Sequence, residues 1–115
     1  MNTRLYHKDI YLPKLNIANK TFEPSYTFHA MQAAETDRYG IIELPAEMNL
    51  SEVEIFEIEV DNFGNLIKVA FRMPYDFQFD LCVAMLVNGC KVKTVWLNDK
   101  MDNHNTLDKS KYEVK

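Results

Sequence analysis

Among the side chains of this 115-residue sequence, His29 and the cations Lys68, Arg72 and Lys93 have the types that act on a charged substrate. Imidazole exchanges a proton near neutral pH, which suits His29 to general acid or base work, set against packed or surface roles for a histidine that opens a helix. Lys68, Arg72 and Lys93 fall on one strand face above Ala70, Ala84 and Cys82. Small neighbours there allow a phosphate to approach, and the cations oppose its charge. Cross-strand pairing of those cations with Glu57, Glu59 and Asp80 is the competing use of the same side chains. Arg38 follows His29 by nine residues, about 900° of helix, so the two share no helix face unless the helix ends before Arg38.

The stretch from Thr94 to Tyr112 passes from apolar strand residues to Asn98, Asp99, Asp102, Asn103, His104, Asn105, Thr106 and Asp108. Such residues favour turns, with Asp102, Asn103 and Thr106 suited to capping or Asx-turn roles. Asp99, Asp102, His104 and Asp108 match neither an EF-hand loop nor a His-Glu-x-x-His helix, so no metal site and no cofactor are expected.

Several elements must position these groups. Residues 1–24 carry Pro13, Pro24 and scattered apolar side chains without a sustained period, which reads as an extended arm lying against the domain or another subunit. Ser25 or Thr27 caps a helix over 27–38 that ends at Gly40, with Ala30, Ala33 and Ala34 allowing close packing. From Val53 the period becomes two. Val53 and Ile55 are out of phase with Phe56, Ile58 and Val60, which places a bulge near Ile55. Strands LIKVAFRM and residues 78–87 follow, and Asn88-Gly89 signals a two-residue hairpin turn. Placing Val87 opposite Cys90 sets Met85 against Val92, Val83 against Thr94 and Leu81 against Trp96, making Trp96 a core anchor. Cys82 and Cys90 then lie on opposite faces, unpaired thiols of a reduced compartment. The expected fold class is α+β: the arm and one main helix packed on a four-stranded antiparallel meander sheet, with residues 25–115 as a single domain.

Composition narrows the partners. The 47% hydrophobic content suffices for a core, and no apolar run reaches the roughly 18 residues that a spanning helix needs, nor does the amino terminus read as a signal peptide. A cytoplasmic location or packaging in a virion is expected, with no membrane partner. The net charge of −4 is uneven: Glu43 to Asp61 holds seven acids and no base, so the remainder carries +3 (−4 = −7 + 3). Net charge therefore does not exclude a nucleic acid.

The succession FHAMQAAETDRYG, IKVAFR, FDLCVAML, TVWLND and DNHNTLDKSKY, with its HA…R, TVWLN and DxHxTLD pattern, resembles a group of small proteins encoded by phages and bacteria. The helix-plus-meander layout is in turn similar to RelE-type toxins and the wider barnase, EndoU, colicin and RelE group of metal-independent ribonucleases. That resemblance implies RNA cleavage through 2′-hydroxyl attack. His29 or His104 would transfer protons, Lys68 and Arg72 would hold the phosphate, Tyr112 would contact a base or share the acid role, and Arg38 and Lys93 would bind nucleic acid. The alternative is a non-catalytic phage or bacterial accessory protein that binds a protein partner, or a second copy, through its arm and carboxy-terminal loop.

Overall fold

The computed structural model describes residues 3–5, by backbone alone, and 20–102. Elements run β1 (Thr3–Leu5), β2 (Thr21–Phe22), β3 (Ser25–Tyr26), α1 (Phe28–Glu35), β4 (Met48–Asn49), a 3-10 turn at Leu50–Glu52, β5 (Glu54–Val60), β6 (Leu66–Pro74), β7 (Phe79–Leu86), a 3-10 turn at Asn88–Cys90 and β8 (Lys91–Asp99). The β5–β8 meander forms the middle of a wider sheet rather than the whole of it. β1 adds antiparallel to β5 and β3 adds parallel to β8, giving the order β1-β5-β6-β7-β8-β3, while β2 and β4 pair separately. A four-stranded meander leaves two edges of unpaired backbone groups, and these short strands cover part of each. The segment expected as an arm thus contributes pairing strands from its described residues.

Helix α1 begins where its cap allows. Thr27 Oγ1 accepts the Ala30 N–H at 3.1 Å, satisfying one of the free donors of the first turn. The helix stops at Glu35, short of the expected 38. Thr36 donates its hydroxyl to Gln32 O at 2.9 Å, and Ile42 N–H reaches back to Ala34 O at 2.8 Å, closing the carboxy-terminal end. Ala30 and Ala34, four residues apart on one face, bring the helix onto the sheet. There it packs chiefly on β8, and its alanines join a core of Val69 and Phe71 from β6, Leu81, Val83 and Met85 from β7, and Val92, Val95 and Leu97 from β8. Ile42, Met48 and Leu50, from the irregular stretch after the helix, complete the cover.

The strands obey alternation except where a bulge resets it. In β5 the register shifts between Ile55 and Glu57, so Ile55 and Ile58 both enter the core across the extra residue Phe56. The β5–β6 turn closes on Asp61, whose Oδ1 accepts the Phe63 and Asn65 N–H groups, both at 2.9 Å. The Asn65 N–H, chiefly, holds that carboxyl below the usual range. At the β7–β8 hairpin the loop spans Val87 to Cys90 rather than two residues, with positive φ at Gly89 (78°) and Cys90 (49°). Met85 faces Val92 as expected, and Leu86 faces Lys91.

Beyond that point the expected register fails. Lys93 is an extra residue on β8, so Ala84 pairs with Thr94, Val83 with Val95, Cys82 with Trp96 and Leu81 with Leu97. One inserted residue exchanges the faces of everything that follows. Val95 and Leu97 therefore enter the core, and Trp96 moves to the opposite face, half-buried, with an indole N–H that is buried and without a hydrogen-bond partner.

The energetic order should follow this register. Leu97→Ala should cost about 2–5 kcal/mol, as truncation of a buried leucine does. Trp96→Phe should stay within about 1 kcal/mol of wild type, because losing ring area is offset by removing an unsatisfied buried donor. Urea unfolding measures both, and a larger loss for Trp96→Phe than for Leu97→Ala would return the indole to the core face.

Candidate functional site

The sheet face opposite the core carries Ala70, Cys82 and Ala84, all buried, and in the row beside them Glu54, Arg72, Cys82 and Trp96 follow one another across β5 to β8. Arg72 is only 7% exposed. A buried guanidinium needs a counter-charge and acceptors for its donors, and the end of the sheet supplies both. Arg72 Nε donates to Asp80 Oδ2 at 3.0 Å; Asp80 stands diagonally across β7, two residues from Arg72's direct partner Cys82. Nη1 donates to the Asp102 carbonyl at 3.1 Å and Nη2 to the Asp99 carbonyl at 3.3 Å. The second carboxylate oxygen of Asp80 takes Lys100 Nζ at 2.7 Å.

This arrangement fixes the turn that follows β8. Within it Asp102 N–H donates to Asp99 O at 2.9 Å, Met101 N–H to Asp99 Oδ1 at 2.8 Å, and Asn98 Nδ2 to Asp102 O at 3.3 Å. Lys100 N–H donates to Gln78 O at 3.0 Å, tying the β6–β7 turn to the same group. Both turns carry exposed apolar tips, Phe77 at 94% and Met101 at 88%. Asp76, in the first turn, accepts the Gln78 and Phe79 N–H groups at 2.8 and 2.7 Å, which holds the backbone on either side of Phe77.

Those of the expected site residues that are described do not converge on one place. His29 is exposed on the first turn of α1, in the layer that covers the core, whereas Arg72 points to the other face of the sheet. Lys68 shares Arg72's face but lies four residues away, roughly 13 Å along a strand, opposite Glu59 and Leu86. Lys93 is the exposed bulge residue, and its carbonyl accepts the Thr27 hydroxyl at 3.3 Å. Arg38 lies 4.6 Å over the Tyr39 ring, which itself stacks on Phe79 at a centroid distance of 4.6 Å. His104 and Tyr112 lie outside the described residues. Among the described residues no cluster of His, Cys, Asp and Glu has the arrangement of a metal site, and no helix is long and apolar enough to cross a membrane.

Around the end of β6, three adjacent clefts share Met73 and Pro74, with volumes of about 370, 400 and 580 Å³. Their walls come from β2, β4, the 3-10 turn after it, and the loop from Glu43 to Ala46. That loop is anchored by Glu43 N–H donating to the Tyr75 hydroxyl at 2.8 Å and by Tyr26 O–H donating to the Pro45 carbonyl. Burial pushes the Tyr26 hydroxyl up to about 12, so it stays a donor. The acid run supplied the sequence signal for one wall, Glu43 to Glu54. The convergence on Pro74 had none, because it is created by chain segments about 20 to 50 residues away from it.

Neither cysteine is bonded, in keeping with the expected unpaired thiols. Burial raises the Cys82 thiol to about 12, with nearby Arg72 opposing it, and burial also raises Cys90. Both are therefore poor nucleophiles at neutral pH. Cys90, half-buried in the hairpin loop, should react with an aromatic disulfide reagent first and more slowly than a free thiol, and Cys82 only on unfolding. Fast native labelling of Cys82 would contradict its placement.

No protein-family model matches the chain, and neither a curated protein nor a solved structure matches it.

Arg72→Ala should destabilise the protein by about 1.5–3 kcal/mol, since Asp80 keeps only Lys100 and the Asp99 and Asp102 carbonyls each lose one of their two donors. Urea unfolding provides the measurement, and a loss under about 1 kcal/mol would show the cation to be dispensable for folding.

Proposed function

We propose that this protein is a non-catalytic accessory protein that works by binding another protein, at the end of the sheet where the β6–β7 turn meets the turn after β8. The observation that carries the reading is the pair of large apolar side chains, Phe77 and Met101, held in solvent on two mutually bonded turns. Exposed apolar groups on braced backbone are suited to serve as interface anchors, since little ordering entropy remains to be lost on binding. Arg72 supports the same reading from the other side. Its guanidinium braces the turns through Asp80 and two carbonyls, whereas a phosphate-holding cation needs donors directed at the substrate.

The competing proposal, a metal-independent ribonuclease using Lys68 and Arg72 with His29 or His104, rests on the two cations sharing a face above small residues. One pair of assays separates them. A mixed RNA pool without added metal should remain uncleaved by wild type, while immobilised wild type should retain from a bacterial lysate a protein that a Phe77→Ser, Met101→Ser double variant loses. RNA cleavage that falls about a hundredfold or more in Lys68→Ala at equal folded concentration would overturn the binding reading in favour of the enzyme.

A further inference from the structure

The Met73–Pro74 clefts lie beside the Phe77 turn but differ from it in chemistry. Their floor is apolar: Val53, Met73 and Pro74, with Leu44 and Pro45 at one end. Glu43, Glu47, Glu52, Glu54 and Asp76 line the same clefts. Among the described residues no cation forms an ion pair with these five carboxylates, and the one cation lining the clefts, Arg72, is paired with Asp80. Five like charges around an apolar trough repel one another and disfavour an acidic ligand such as a nucleic acid backbone. They attract a basic one, and the floor offers burial to an apolar side chain between its charges. Each cleft has the volume of a small ligand site, and three in contact suit a chain presenting several side chains in succession.

We propose that the Met73–Pro74 groove binds an extended basic segment of a partner protein, in which lysine or arginine side chains meet the acidic walls and an apolar side chain rests on Met73 and Pro74. The assignment rests on the protein-binding reading and supplies the chemistry of the partner. Glu47 and Glu52 set the charge preference, and the apolar floor sets the requirement for an anchor. Binding is accordingly weakened by salt, because exposed charges are screened beyond about 8 Å at physiological ionic strength.

The test is fluorescence polarisation of the full chain with a labelled hexapeptide alternating lysine and leucine, compared with one alternating lysine and serine. The leucine peptide should bind at least about tenfold more tightly, and its affinity should fall severalfold between low and physiological salt. A Glu47→Lys, Glu52→Lys double variant should lose about tenfold or more, with Glu47→Gln, Glu52→Gln losing less. Both positions are exposed, so the urea midpoint should be unchanged. Equal binding of the two peptides, or no loss in the lysine variant, would overturn the proposal. A dimer in sedimentation that dissociates in the lysine variant would assign the groove to a second copy and overturn it likewise. Failure of the peptide assay while lysate capture still depends on Phe77 and Met101 would sink the groove alone, whereas Lys68-dependent RNA cleavage would sink the reading beneath it.

Discussion

A buried guanidinium organises one end of this molecule. Arg72 sits on β6 between Glu54 of β5 and Cys82 of β7 and is almost fully buried, so water supplies little of its solvation. A charge in that position is tolerated only with a counter-ion and with acceptors for its remaining donors. Asp80 provides the first, and the carbonyls of Asp99 and Asp102 provide the second. The chain leaving β8 must therefore fold back over the sheet end. Lys100 follows, pairing with Asp80 from the solvent side while its own N–H fastens the β6–β7 turn. The conformation of two loops thus depends on one side chain between them.

The electrostatics of the remaining surface follow from how charge is consumed. Where Arg72, Lys100 and Asp80 come together, the two cations share one carboxylate. The acids contributed by the Glu43–Glu54 stretch have no such matching among the described ion pairs, and the strand order brings them to the same end of the sheet. Local excess negative charge arises there although the chain as a whole is only −4. Such a field acts on association rate and on the choice of partner more than on folding.

Local rules were legible in the sequence to the extent that the backbone itself reads them. Thr27 caps its helix, the hairpin falls at Asn88-Gly89 although through a longer loop than two residues, and the phase break at Ile55 marks a real bulge. The same logic applies to β8, where Val92 is out of phase with Val95 and Leu97. Val92, Thr94 and Trp96 form an equally regular series, however, and periodicity alone cannot choose between a continuous strand and a bulged one. Burial chooses: the bulge buries two aliphatic side chains against α1 and leaves the larger, polar-tipped indole at the other face. The helix boundary moved for a related reason, since Asp37 leaves the helix to accept the Leu97 N–H at 3.2 Å on the open edge of β8. Tertiary demand for a backbone partner outweighed local propensity.

The candidate site was less legible because its essential acceptors are backbone carbonyls, which every residue carries and no sequence pattern distinguishes. Lys68, Arg72 and the small residues between strands were visible as a cationic face, but whether such a cation serves a ligand or the fold depends on what reaches it. At Arg72 the acceptors come from a turn about 30 residues later in the chain. A guanidinium directed at a substrate would have to surrender those bonds on each encounter, taking one donor from each carbonyl and leaving Asp80 to Lys100 alone, an exchange costing about 1–3 kcal/mol. Catalytic stabilisation works in the opposite sense, with donors already oriented toward developing charge so that no internal bond is broken as the reaction proceeds. The interaction that holds the two turns in place therefore sets what Arg72 would have to give up at a phosphate, which is why the proposed reading assigns binding to the exposed turn tips and the acidic clefts beside them instead.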